Sequence, residues 1–250
     1  MINLLICGIG GKMGNFVYQT AKKNSNLKVV CGVDGAETNN FDCPVYKSFD
    51  DVTEKIDVIL DFSRPVALDG ILKFALKNKC GAVLATTGYN KEELTKINEA
   101  SKLIPVFMTA NYSLGVNLLT TLCKTAAKTL GIDYDIEIIE KHHNQKIDAP
   151  SGTALMLASE INSIFNGDMN FVYGREGGNC KRNKKEIGIH AVRGGTIVGE
   201  HEIMFTANDE TITISHSAQS KQIFASGAVK AAEFLSGKPA KMYSMKDIIK

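Results

Sequence analysis

The sequence lacks the marks of several functional classes. It carries no surplus of either charge: 29 Lys and Arg against 27 Asp and Glu leave a net charge of +2. A protein that grips a polyanion shows a basic excess or a basic stripe. The one local run of cations, Lys181-Arg182-Asn183-Lys184-Lys185, reads as a solvated loop. No stretch reaches the roughly 18 apolar residues a membrane span needs. Neither nucleic acid nor a membrane is therefore an expected partner. The first residues, Met1 to Gly8, have no basic leader region and run straight into a glycine turn, so a first strand is expected there, not a signal peptide. Tryptophan is absent, which says nothing about function. The six cysteines, at positions 7, 31, 43, 80, 123 and 180, are scattered and form no Cys-x-x-Cys pair. That argues against a disulfide scaffold and against zinc, and for a reducing compartment, hence a cytoplasmic protein.

What is present is ordinary in amount and ordered in arrangement. The 250 residues are 44% hydrophobic and 22% charged, enough to bury a core in one large or two modest domains. Over the first hundred residues, short apolar runs (Ile2 to Cys7, Leu27 to Val33, Asp57 to Phe62, Ala82 to Ala85, Ile104 to Met108) alternate with amphipathic stretches (Gly11 to Lys23, Pro65 to Leu76, Lys91 to Ser101). Such alternation predicts βαβ units and a parallel sheet with right-handed crossovers. The rhythm then changes. A long helix is expected over Leu114 to Leu130, a half-wet strand from Tyr134 and a helix over Ser151 to Phe165. Three strands in a row follow: Ile187 to Val192, Ile197 to Phe205 and Thr211 to His216, with a hairpin turn at Asn208-Asp209-Glu210. Strands without intervening helices predict a second domain of α+β type. A last helix, Ser220 to Leu235, precedes a tail that can return to the first domain.

Between the first strand and first helix lies Gly8-Ile9-Gly10-Gly11-Lys12-Met13-Gly14. It is Gly-x-x-Gly-x-x-Gly with one additional glycine, and Met13 keeps it from a strict Gly-x-Gly-x-x-Gly. The physics is shared: the chain turns sharply and its N–H groups, at a helix N-terminus, meet a pyrophosphate. The plain alternative is a tight strand-to-helix turn. Asp34 ends the second strand about 20 residues past the loop, where an acid takes ribose hydroxyls, and this context favours dinucleotide binding. A carboxylate at Asp34 repels a 2′-phosphate, and Lys12 is the only obvious cation near that end. The cofactor expected is NADH or NADPH, leaning to NADH.

The densest chemistry lies in Glu140-Lys141-His142-His143-Asn144-Gln145-Lys146-Ile147-Asp148-Ala149-Pro150-Ser151-Gly152-Thr153-Ala154. Ser151-Gly152-Thr153 opens a helix whose unpaired N–H groups can hold a carboxylate. Histidine and lysine beside such a site suit proton transfer to a small acidic substrate. Blander readings stand beside this one: an exposed polar loop for the histidines, and a plain helix cap for Ser151. A metal site ranks below proton chemistry, because adjacent histidines on an extended chain point apart and no third ligand follows at useful spacing.

The chain resembles the 4-hydroxy-tetrahydrodipicolinate (dihydrodipicolinate) reductase family. The motifs that carry the likeness are Gly8 to Gly14, Asp61-Phe62-Ser63-Arg64-Pro65, Ala85-Thr86-Thr87-Gly88-Tyr89, Ala110 to Asn117, Glu140 to Ala154 and Ala191 to His201. The resemblance implies an α/β protein. An N-terminal Rossmann-type dinucleotide domain (residues 1–112, completed by 220–250) would carry an inserted α+β domain (113–219) for substrate binding and tetramerisation. It implies NAD(P)H-dependent reduction of a cyclic hydroxy-imine dicarboxylate, with loss of water, in lysine and diaminopimelate biosynthesis, by a homotetramer. On the family pattern His142 and Lys146 are the proton-transfer residues, and His143, Gly152 and Thr153 bind substrate. Cofactor contacts fall to Gly8, Ile9, Gly10, Gly11, Lys12, Met13, Asp34, Ala85, Thr86, Thr87, Thr109, Ala110, Asn111 and Tyr112. Hydride delivery pushes electrons to the imine nitrogen, and an adjacent acid must protonate it. The chain departs from the common pattern at Lys221, where many members carry Arg, and at Ala85, often Gly. Lysine meets a carboxylate as a point charge, not a planar fork.

Two other readings share the architecture. An amino-acid dehydrogenase of the aspartate or homoserine type would share the glycine loop without needing His-His-x-x-Lys beside Ser-Gly-Thr. A non-enzymatic dinucleotide sensor would need a partner-binding module, and no helix-turn-helix or basic domain is visible.

Overall fold

The computed structural model describes residues 1–36, 38 and 41–249. The chain divides into two compact units, Met1–Leu114 with Gln222–Lys250, and Gly115–Lys221.

In the first unit the strands are β1 (Ile2–Cys7), β2 (Leu27–Val33), β3 (Val45–Tyr46), β4 (Val58–Asp61), β5 (Gly81–Leu84), β6 (Pro105–Met108) and, from the C-terminal segment, β12 (Lys241–Tyr243). They form one parallel sheet in the order β12-β6-β5-β4-β1-β2-β3. Side chains alternate between its faces. Leu4, Ile6, Val58, Leu60 and Phe107 pack with α1 (Lys12–Lys22) and α6 (Gln222–Leu235). Leu5, Cys7, Ile59, Leu84 and Val106 pack with α2 (Leu68–Asn78) and α3 (Lys91–Ser101). Both faces are covered, which is why these strands read as continuous apolar runs. This is a Rossmann-type, doubly wound sheet. Its strand order reverses beside β1, so the carboxyl end of β1 stands at the place where such sheets bind ligands.

The helix α6 presents small residues (Ala225, Gly227, Ala228, Ala231 and Ala232) to this core. At Gly227 the approach is closest: a Cβ there would stand 1.7 Å from the Tyr112 carbonyl oxygen. Gly227→Ala is therefore expected to destabilise the protein by about 1–3 kcal/mol, since main chain, not a flexible side chain, stands in the way. Denaturant midpoints check this against Gly178→Ala, whose Cβ meets nothing within 4 Å. Equal midpoints for the two would contradict the close approach.

The second unit holds α4 (Leu114–Leu130), β7 (Asp135–His142), α5 (Gly152–Asn162), β8 (Asn170–Tyr173), β9 (Glu186–Arg193), β10 (Gly199–Thr206) and β11 (Thr211–Ala218). Its sheet runs β11-β10-β7-β9-β8. The β10–β11 and β10–β7 pairs are antiparallel, and the β7–β9 and β8–β9 pairs are parallel. Ile136 and Ile138 of β7 and Ile203 and Phe205 of β10 turn to the face that packs with Leu119 and Cys123 of α4 and Leu157 and Ile161 of α5. Glu140 shares the parity of Ile136 and Ile138, and it is fully buried.

Sequence and structure differ at short elements. The tail after α6 contributes the edge strand β12, and β3 and β8 are edge strands too brief to show a period. The helix expected from Pro65 begins as a single 3-10 turn, Pro65–Ala67, before α2. The strand from Tyr134 runs on to His142, through the polar residues Lys141 and His142, because both are paired in the sheet opposite Glu200 and Arg193.

Candidate active site

At the carboxyl edge of the first sheet the glycine turn is fixed by backbone crowding. Gly8 has φ +77°, and a Cβ on Gly14 would stand 2.0 Å from the Gly8 carbonyl oxygen. No residue with a Cβ fits at Gly14 without opening the turn. The helix α1 begins at Gly11, which supplies no side-chain cap, and its first turn holds no acid. The N–H groups of that turn stay available to an anion. Asp34, just past β2, accepts from the Gly10 N–H (2.9 Å) and the Ala36 N–H (3.0 Å). A carboxylate has about four acceptor positions, so two remain for hydroxyl groups. Gly8, Gly10, Gly11, Asp34 and Ala36 line a cleft of about 890 Å³ with Phe62, Ser63 and Arg64 after β4 and with Lys47, Lys73 and Lys77. Lys12, singled out by its place in sequence, is not in that wall, whereas residues distant in sequence supply four cations. Lys73 is paired with Asp50 at 3.1 Å.

The other positions expected to contact a cofactor lie in this unit. Ala85, Thr86 and Thr87 follow β5, and the Ala85 N–H donates to the Asp61 carbonyl. Thr109, Ala110 and Asn111 follow β6. Ile9 is fully buried, and the Tyr112 ring is in the core with its hydroxyl donating to the Leu84 carbonyl at 2.8 Å. Any part those two residues play in cofactor binding falls to their main chain. Asp61 belongs to the Asp-Phe-Ser-Arg-Pro motif, which assigns it no role. It is wholly buried at the end of β4, and burial pushes its carboxyl up against the hydrogen bonds it receives. It accepts from the Ser63 N–H (2.9 Å) and hydroxyl and from the Tyr89 hydroxyl (3.2 Å), tying the loop after β5 to the loop after β4. The signal that could have found it is a lone acid closing the apolar strand Val58 to Leu60.

In the second unit, β7 delivers His142 at its last position, and the chain returns through Lys146 to α5. The Lys146 ammonium is 2.7 Å from the Asp148 carboxylate, whose pKa that hydrogen bond lowers. Ser151 caps α5, its hydroxyl accepting from the Ala154 N–H at 3.2 Å. Gly152 and Thr153 form the first turn. His143 follows His142 at the strand end and is half-buried. Arg193 of β9 donates to the Asp148 carbonyl (2.8 Å) and with two nitrogens to Glu140 (2.8 Å each), drawing the loop onto the end of β7. Burial opposes ionisation of Glu140, but hydrogen bonds from Arg193, His142 and the Ser151 N–H outweigh it and hold the carboxyl below its ordinary value. His201 of β10 lies edge-on to His142 at 5.4 Å, with its Nε2 3.1 Å from the Ser151 hydroxyl. Burial, then the neighbouring His142, pushes the His201 pKa down to about 4, so it stays neutral near pH 7. Lys221, exposed, is the last residue of this unit. Among the described residues no group of three His, Cys, Asp or Glu is arranged to hold a metal ion, and no helix is long and apolar enough to cross a membrane.

Two family models cover nearly the whole chain: dihydrodipicolinate reductase, N-terminus, over residues 2–112, and dihydrodipicolinate reductase, C-terminus, over residues 115–249. The chain belongs to the dihydrodipicolinate reductase family. It is 52% identical to a 4-hydroxy-tetrahydrodipicolinate reductase of Caldanaerobacter subterraneus subsp. tengcongensis, covering 100% of this chain and 99% of the relative. It is 47% identical to one of Clostridium tetani, covering 98% and 96%. A dipicolinate-bound dihydrodipicolinate reductase from Paenisporosarcina sp. TG-14 superposes with a TM-score of 0.83 at 25% identity, covering 99% of each chain. As a dihydrodipicolinate reductase the chain is an NAD(P)H-dependent oxidoreductase of lysine and diaminopimelate biosynthesis. A more distant likeness in fold alone, with a TM-score of 0.53 at 12% identity, is to a diaminopimelate dehydrogenase from Clostridium tetani.

The sequence pattern alone does not single out Arg193, His201 or Glu140. The parity of Glu140 with Ile136 and Ile138 was the available signal, since an acid on the apolar side of a strand demands a cationic partner.

Proposed function

We propose that the second unit binds the cyclic hydroxy-imine dicarboxylate at the mouth of α5 and that His142 and Lys146 move the protons of its reduction. The observation that carries this is the convergence, at one end of the sheet, of a histidine, a lysine and the N-terminus of α5. Gly152 and Thr153 offer that turn to a substrate carboxylate, and His143 adds a donor. Bound in the first unit, reduced nicotinamide supplies a hydride. The ring hydroxyl leaves as water to give the conjugated imine, the hydride adds to that system, and Lys146 carries a proton to the nitrogen where negative charge develops; an ammonium placed there stabilises the transition state more than the ground state. His142 assists as donor or acceptor on the same substrate. A homotetramer in the cytoplasm fits this reading, and the six free thiols fit its reducing medium.

The first unit holds the dinucleotide, the pyrophosphate on the α1 N–H groups and the adenosine ribose on Asp34, with NADH preferred. The four cations of the cleft allow NADPH to be used less well. Charge-assisted hydrogen bonds of this kind contribute about 1.5–3 kcal/mol. Asp34→Ser is thus expected to lower kcat/KM for NADH by about 10–100-fold and to raise it for NADPH. Steady-state kinetics with both nucleotides check this. A wild-type preference for NADPH that Asp34→Ser leaves unchanged would contradict the assignment.

A further inference from the structure

Glu140 has no part in the proton steps above, yet both its oxygens are fully engaged. One accepts from His142 Nδ1 (2.6 Å) and Arg193 (2.8 Å), the other from Arg193 (2.8 Å) and the Ser151 N–H (2.9 Å). Arg193 and Ser151 alone would settle a buried carboxylate: a planar guanidinium fork offsets its desolvation. The bond to His142 is additional, and it constrains that ring. An ionised carboxylate only accepts, so Nδ1 must carry the hydrogen, and Nε2 is left to exchange a proton. Ser151 closes the network, its N–H on Glu140 and its hydroxyl on His201, whose ring stands edge-on to His142.

We infer that Glu140, fixed by Arg193, is a positioning residue that sets the tautomer and orientation of His142 and so presents Nε2 to the substrate. The logic is that of a carboxylate that orients a catalytic imidazole without itself taking the proton. The inference rests on the reading of His142 as a proton-transfer residue.

A double-mutant cycle tests it with the enzyme as it exists. Glu140→Gln is expected to lower kcat by about 10–100-fold, the usual cost of losing such an orienting partner, with KM for the dicarboxylate within about threefold. In a His142→Ala background the same change should cost less than about twofold, because there is no ring left to orient. The same factor in both backgrounds, or no loss in either, would overturn the inference while leaving the role of His142 standing. Full activity of His142→Ala alone would instead strike the reading of His142 on which the inference depends. Glutamine leaves the half-buried Arg193 without its counter-charge, so the variant can fail to fold. The wild-type protein then decides: in long-range ¹H–¹⁵N imidazole spectra followed across pH, the neutral form of the His142 ring is expected to carry its hydrogen on Nδ1, and a neutral ring with its hydrogen on Nε2 would overturn the inference.

Discussion

Replacing Lys146 by Ala is expected to lower kcat by about 10²–10⁴-fold, the range for losing a positioned proton donor. The fold should hardly register the change. Among the described residues the lysine's one ion pair is with Asp148, whose side chain is 53% exposed, and such pairs contribute about 0–1 kcal/mol. The Tm should therefore stay within about 4 °C of wild type, at roughly 2–4 °C per kcal/mol for a chain of this size. Activity at saturating substrate and thermal unfolding on the same preparation check both halves. Parallel loss of activity and stability would mean that Lys146 holds the loop between β7 and α5 and does not serve the chemistry.

Gly14→Ala should act at the other end of the reaction, on cofactor binding. Its Cβ would stand 2.0 Å from the Gly8 carbonyl oxygen and 2.8 Å from the Ile9 Cα, and neither is a side chain that can swing away. The turn must open, and the α1 N–H groups lose their aim at the pyrophosphate. Overpacking of this kind costs about 1–3 kcal/mol in stability, or about 2–12 °C in Tm. NADH affinity should fall by about 100-fold, equivalent to roughly 2.8 kcal/mol. Gly35→Ala is the control: it lies in the same cleft with nothing within 4 Å of its Cβ. Titration of NADH fluorescence decides, and wild-type affinity in Gly14→Ala would show that the turn does not hold the dinucleotide.

The elements that sequence placed well are those whose signal is local. The strands β1 and β2 are apolar over Leu4 to Cys7 and Val29 to Val33 because both faces of the first sheet are covered there. The helix α3 starts where Asn90 and Glu93 cap it reciprocally. The brief edge strands β3, β8 and β12 carry no period and exist only through pairing with a neighbour. The site divides in the same way. The glycine turn and Asp34 are legible because backbone crowding and strand ends leave marks in adjacent residues. The cations of the cleft are not, since Lys47, Arg64, Lys73 and Lys77 meet the glycine turn only through the sheet order. Glu140 looked like one more polar residue on a half-wet strand. Its burial makes sense only once Arg193, 53 residues on, is paired beside the end of β7.

The most direct measurement is oxidation of reduced nicotinamide by the purified protein, with substrate generated in place from pyruvate and aspartate semialdehyde by the upstream synthase. The wild type should oxidise NADH rapidly and only when the synthase is active, while folded Lys146→Ala, still binding NADH, should not. No synthase-dependent oxidation with either nucleotide, from folded protein that binds NADH, would contradict the account and point to another imine or keto substrate, or to a sensor.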